Sequence, residues 1–284
     1  MIRKILVPVR GDGKAESVIV YAAVLAKAAK SHIEVTHCRA RPEDLMPYGV
    51  PIPKMLRKQM LEQASSIADA EEQVLKDEFE ALAKKAGIEI VSGNGGDGPS
   101  AEWVEEAGRQ VDVIRQHGRL ADVIVVPKPD IDRNLGTNTL KAALFNTGRP
   151  VLMVPDKKDA PKSLGQNVTI AWNGSLESSR AVTMTLPILR SAKSVTILSS
   201  GGEPAAASAE KLQEYLRAHE IESTISRFSG SGNVGKTLLS LSTELGADCL
   251  IMGAYGDSHE RETVFGGNTQ HVVDKAEMPV ILVH

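Results

Sequence analysis

The chain has 284 residues, 42% of them hydrophobic and 24% charged, which is enough for two domains of about 140 residues with an apolar core each. Its 33 basic and 36 acidic residues are mixed along the sequence and leave a net charge of -3, which argues against a nucleic-acid partner. No stretch reaches the roughly 18 apolar residues of a membrane span, the run from Ile5 to Val9 is too short for a secretory signal, and Cys38 and Cys249 have no metal-binding spacing, so a cytoplasmic protein with no membrane partner is expected.

In chain order, Lys4 to Val9 reads as a strand that ends at Arg10-Gly11, and a helical pattern follows from Ser17 to Lys30. A second strand runs from Ile33 to Cys38. An insertion over about 41–67 carries Pro47, Pro51 and Pro53 and predicts a surface loop running into an amphipathic helix or a helical extension. Helical spacing then places Ile67, Val74, Leu75, Phe79 and Leu82 on one face. The third strand, Ile88 to Val91, is expected to lead into a glycine-rich turn and a helix. Ala121 to Val126 and Pro150 to Val154 are the fourth and fifth strands.

The same order of signals then recurs. Gly11 returns as Gly174, Ile33 as Val195, and Ile88 as Ile221. Strands are predicted at Val168 to Trp172, Val195 to Ser200, Ser223 to Phe228, Ala247 to Met252 and Pro279 to Val283. The helix between the second and third of these carries Leu212, Tyr215, Leu216 and His219 on one face. Short apolar runs without alternation are the mark of parallel strands covered on both faces. The expected fold is α/β: two tandem doubly wound five-stranded parallel-sheet domains, residues 1–155 and 166–284, joined by a polar linker at 156–165 and packed as an intrachain pseudo-dimer.

Ligands of such sheets bind beyond the carboxyl ends of the strands. After the fourth strand of the second half come Gly253 and Gly256, three apart, then nine residues, then Gly266, Gly267, Asn268 and Thr269 at the start of a helix. Glycine lets backbone N-H groups approach a phosphate, and a helix N-terminus adds partial positive charge. With Ala247-Asp248 before this loop and Met278-Pro279-Val280-Ile281-Leu282-Val283 at the close, the chain resembles the universal stress protein family, whose pattern is Gly-x2-Gly-x9-Gly-[Ser/Thr].

The resemblance covers both halves and implies an adenine nucleotide alpha-hydrolase-like fold and a role in stress response and signalling. It also implies ATP or AMP as ligand, with magnesium accompanying ATP, and no dedicated catalysis beyond weak ATP hydrolysis. Gly253, Gly256, Gly266 and Thr269 would meet the phosphates, with Gly267 and Asn268 between them, and Asn173 would sit near the adenosine. Two positions depart from the family: Asn173 replaces its aspartate, and Gly267 replaces its Ser or Thr. The family's pairing through last strands would join 151–154 to 280–283 within one chain, and whole chains remain free to form a homodimer with each other or to meet unknown protein partners.

The first half departs further, with Arg10 closing strand one and Pro127 and Pro129 where the glycines belong, so its nucleotide site is expected to be degenerate. Two other glycine patterns compete. Gly230 to Thr237 satisfies GxxxxGK[ST] and would make Lys236 the phosphate ligand of an NTPase, with Asp248 the best acid on offer for a metal. Gly93 to Gly98 satisfies GxGxxG but is followed by Pro99. His259 reads as a solvated loop residue and Trp172 as core. No metal site or catalytic residue is predicted, and a ligand-free interaction scaffold with both sites degenerate stays open as the alternative.

Overall fold

The computed structural model describes residues 1–39, 52–93, 98–157, 159, 161–200, 206–256 and 267–284. The first repeat consists of β1 (Lys4–Val9), α1 (Ala15–Ala29), β2 (His32–Arg39), α2 (Lys54–Ala86), β3 (Glu89–Ile90), β4 (Ser100–Ala107), α3 (Gln110–Gly118), β5 (Val123–Pro127), α4 (Thr137–Asn146) and β6 (Val151–Val154). The second consists of β7 (Asn167–Trp172), α5 (Leu176–Leu189), β8 (Ser194–Ser200), α6 (Ala209–Ala218), β9 (Thr224–Phe228), α7 (Val234–Glu244), β10 (Cys249–Gly253), α8 (Gly267–Lys275) and β11 (Val280–Val283). Among the described residues, no helix is long and apolar enough to cross a membrane.

The strands form one sheet in the order β3-β4-β2-β1-β5-β6-β11-β10-β7-β8-β9. Within each repeat all pairs are parallel, and the repeats meet through one antiparallel pair in which Val151, Leu152 and Met153 of β6 face Leu282, Ile281 and Val280 of β11. Successive strand residues turn to opposite faces. Ile5 and Val7 belong to the apolar layer completed by residues of α1, α2, α5 and α6, whereas Leu6, Ile124 and Leu250 belong to the layer completed by α3, α4 and α8, and both layers run continuously across the two repeats.

The third strand of the first repeat is not where the apolar pattern places it. Ile88 to Val91 supplies only the two-residue edge strand β3, and the strand that pairs with β2 is β4, which directly follows the glycine run. The sequence Ser-Ala-Glu-Trp-Val-Glu-Glu-Ala hides it because three glutamates interrupt the apolar pattern. Each is matched by a base: Glu102 by His32 at 3.2 Å, Glu105 by Arg39 at 3.5 Å, and Glu106 by His117 at 3.2 Å. His117 also reaches the buried Glu34 of β2 at 2.7 Å, and Lys4 approaches that carboxylate at 2.6 Å.

The two Ala-Asp pairs that precede β5 and β10 have one structural task. Asp122 accepts hydrogen bonds from the backbone N-H groups of Arg3 and Lys4. Asp248 accepts them from Gly165, Gln166 and Asn167, at 3.0 to 3.1 Å, and from the Ser163 hydroxyl at 2.8 Å. Each carboxylate therefore ties the start of its domain's first strand to the neighbouring strand, β1 to β5 and β7 to β10. Removing one leaves several backbone donors without an acceptor, and Asp248→Ala is expected to cost about 3 kcal/mol in urea denaturation, whereas a surface change such as Glu214→Ala should cost under about 0.5 kcal/mol.

Helix α2 takes up the latter part of the insertion as a helical extension; residues 40–51 lie outside those described. Leu75, Phe79, Leu82 and Ala83 are buried, but Ile67 and Val74, assigned by spacing to the same face, are 68% and 66% exposed. The helix outruns the sheet beneath it, and its first half docks by charge. Arg39 meets Asp69 at 2.5 Å, Glu72 at 3.6 Å and the Ser65 hydroxyl at 3.1 Å. A hydrogen bond shared with Glu105, followed by burial, pushes the Glu72 carboxyl up to about 7. A raised carboxyl stabilises the fold fully below the ordinary carboxylate range and ceases to do so as pH rises through about 7. The melting temperature of the parent should therefore fall relative to that of Glu72→Gln between about pH 5 and pH 8, and parallel curves would count against the shared proton.

Candidate functional site

Strand β7 delivers Asn173 to the carboxyl-terminal rim of the second domain. Its Oδ1 accepts the Ser175 N-H at 3.1 Å, the turn passes through Gly174 at φ 77°, and Ser175 then caps α5 by accepting the Ser178 N-H at 3.2 Å. Beside it, β10 ends in Gly253-Ala254-Tyr255-Gly256. A Cβ on Gly253 would stand 2.5 Å from the Ser178 nitrogen and 2.6 Å from the Glu177 carbonyl carbon, so only glycine lets β10 pass the first turn of α5. A Cβ on Gly256 would meet the Glu177 carboxylate at 2.7 Å.

These elements enclose a cavity of about 520 Å³. Asn173, Gly253, Gly256, Gly267, Asn268 and Thr269 all line it, so the structure brings together six of the residues the sequence selects. The seventh, Gly266, and His259 lie outside the described residues. Leu198, Phe228, Val234 and Leu238 supply an apolar wall. Thr269 is buried at the start of α8, whose N-terminus opens on the same space. Trp172 lines the cavity but its indole N-H already donates to the Ala207 carbonyl at 2.9 Å, which is the bond of a core residue.

Glu177 is a site residue that no motif in the sequence marks. Among the described residues that line the cavity it alone carries a charge, and it is only 9% exposed. Its position in the first turn of α5, four residues after Asn173, is the one signal available; an acid there also suits the helix dipole, which makes the spacing easy to pass over.

The competing glycine patterns serve other ends. Asn233 caps α7 and accepts the Lys236 N-H at 2.9 Å, a group that a phosphate loop keeps for its ligand. Lys236 does not line the cavity, and Gly235 is a packing glycine, since a Cβ there would stand 2.5 Å from the Asn268 carbonyl oxygen on α8. Asp248, the acid on offer for a metal, is occupied by backbone N-H groups at the opposite end of its strand. The GxGxxG run leads into β4 and not into a helix.

In the first domain the corresponding loop is closed on itself. Asp130 and Leu135 exchange both backbone hydrogen bonds at 2.9 Å, and Gly136 lies against Pro129, so that a Cβ on the glycine would stand 3.3 Å from the proline Cα. Backbone therefore occupies the space beyond β5 in the first domain.

The chain matches the universal stress protein family over residues 1–155 and again over 166–284. Among solved structures it is similar to a universal stress protein from Archaeoglobus fulgidus DSM 4304, at 19% identity, 99% coverage of this chain, 95% of that one and a TM-score of 0.71. It is also similar to a functionally unknown protein from Pseudomonas aeruginosa PAO1, at 15% identity, 99% and 92% coverage and a TM-score of 0.56. No curated protein matches it.

The contacts of the two loop glycines differ in kind, which separates their mutants. Gly253→Ala drives a methyl into backbone and is expected to destabilise the second domain by about 3 kcal/mol, while Gly256→Ala meets only the end of a side chain and should cost about 1 kcal/mol or less, both read by urea denaturation.

Proposed function

The chain belongs to the universal stress protein family, and on that premise we propose that it is a stress-response signalling protein whose second domain holds one adenine nucleotide, ATP or AMP, without dedicated catalysis. The observation that carries this reading is the convergence of Asn173, Gly253, Gly256, Gly267, Asn268 and Thr269 on one cavity at the N-terminus of α8. Backbone N-H groups of the glycine loop and of α8, with the Thr269 hydroxyl, would take the phosphates. The wall of Leu198, Phe228, Val234 and Leu238 suits a base, and Asn173 offers an amide to the adenosine.

Glu177 sets the terms of binding. A carboxylate against Gly256 repels a bare phosphate, and the same carboxylate is an oxygen donor of the kind magnesium prefers, so the site suits ATP accompanied by magnesium better than ATP alone. Glu177 and Gly267 are also the two features that favour a second reading, a ligand-free scaffold acting through protein partners. Location in the reducing cytoplasm is part of the proposal and draws support from the unpaired thiols of Cys38 and Cys249.

Calorimetric titration of the full chain with ATP and magnesium decides between the two readings. One site per chain is expected, lost in Gly256→Trp when circular dichroism shows that variant folded. Glu177→Gln should tighten magnesium-free ATP about fivefold, as ~1 kcal/mol of relieved repulsion requires. No binding by the folded parent would establish the scaffold reading.

A further inference from the structure

The first domain has a cavity of its own at the carboxyl-terminal rim of β1, β2 and β4, of about 600 Å³. Closure of the Asp130 to Leu135 loop denies it a phosphate cradle, and α2 covers it instead through Ala64, Ile67, Ala68 and Glu71. From the opposite side it is lined by Arg10, His37, Gln110 and Arg133. We propose that this cavity binds a small monocarboxylic acid with a short apolar body, its carboxylate held by Arg10, Gln110 and His37 and its apolar part lying under α2.

Three observations carry the assignment. First, His37 is only 8% exposed, stacks on Trp103 with ring centroids 5.8 Å apart, and its Nδ1 has no hydrogen-bond partner among the described residues. A buried polar atom without a partner is costly, and in a side chain that lines a cavity the cost is relieved when the side chain turns to meet a ligand there. Second, Gln110 is in the same condition. Its Oε1 accepts the Thr139 hydroxyl at 3.3 Å, which leaves the amide Nε2 as a buried donor with nothing to receive it among the described residues. Two such groups on one cavity call for a ligand rich in acceptors. Third, the apolar surface is on the other side: Ile67 is 68% exposed although it lines the cavity, so a hydrocarbon body seated there would cover it.

Charge limits the ligand to a single negative group. Arg39 is spent on Asp69, Glu72 and Glu105, which leaves Arg10 and Arg133. Arg133 donates to the Asp12 carbonyl at 3.4 Å, whereas Arg10 makes no ion pair among the described residues. Asp12 and Glu71 line the same space and would repel a polyphosphate. Burial lowers the His37 imidazole from its ordinary value, so it stays neutral and offers Nδ1 as a hydrogen-bonding group and not as a second cation.

Hexanoate is the probe, with hexanol and hexylamine as controls of equal length, and the two indole N-H resonances of Trp103 and Trp172 are the readout, assigned with Trp103→Phe. Hexanoate should shift the Trp103 resonance saturably and leave Trp172 unmoved, and the controls should bind at least about tenfold more weakly. Arg10→Gln combined with Gln110→Leu should weaken hexanoate by about tenfold while the ligand-free Trp103 resonance, kept near its parental position, reports an intact first domain. The proposal is overturned if none of acetate, hexanoate, octanoate and benzoate moves Trp103 up to its solubility limit, if hexanol matches hexanoate, or if ATP moves Trp103, which would make the cavity a second nucleotide site.

Discussion

The arrangement of this molecule depends on one short seam of backbone hydrogen bonds, the antiparallel pairing of β6 with β11. A doubly wound domain that ends in an unpaired apolar strand exposes a template for aggregation. Here the last strand of each repeat is the partner of the other, and both are buried along their whole length. Because the strands within each repeat are parallel and the seam is antiparallel, the two carboxyl-terminal rims face opposite ends of a common sheet. The two cavities are therefore separate chambers, each built by its own domain.

Within that frame the repeats have kept what holds a domain together and have parted at the rims. Asp122 and Asp248 make the same bonds to the start of a first strand, and the N-H groups of Lys128 and Ala254 bond the carbonyls of Val154 and Val283 at equivalent points. The loops beyond those points differ in kind. Pro127 and Pro129 remove donors and fix the backbone, so the loop folds back and pairs Asp130 with Leu135. Gly253 and Gly256 have no side chains, so the backbone at the end of β10 passes close to the first turn of α5. The rim of the first domain is instead roofed by α2, which buries Leu75, Phe79 and Leu82 much as the shorter α6 buries Leu212 and Leu216, and which adds charged contacts with Arg39.

What the sequence made legible follows from the strength of local signals. Strands covered on both faces appear as apolar runs, and the repeat doubles the evidence for each, so most of the order of elements could be read directly, and six of the selected second-domain residues line one cavity. Strand β4 escaped because Glu102, Glu105 and Glu106 are balanced by bases outside the strand, and no pattern internal to the strand records that. Ile67 and Val74 misled for the opposite reason: periodicity identifies a helix face but not whether anything lies beneath it. Among the glycines, Gly235 and Gly253 both exist because backbone passes too close for a Cβ, yet one separates two helices and the other lets a strand end pass a helix N-terminus, and a motif expression reads them alike.

The seam also ties the first domain to the site of the second. Tyr255 lies between the loop glycines with φ at 59°, a left-handed conformation that costs a residue with a side chain about 1 kcal/mol. Its ring packs against Phe145 of α4 with centroids 5.3 Å apart, and Phe145 meets the His284 ring at 4.9 Å. The His284 Nδ1 in turn lies 3.1 Å from the Ala254 carbonyl, so β11, the glycine loop and a helix of the other domain close into one cluster. Aromatic contact of this kind is worth about as much as the strain it offsets. The left-handed turn at Tyr255 is therefore not a property of the second domain alone: the first domain, whose own loop is shut, supplies the ring that packs against it.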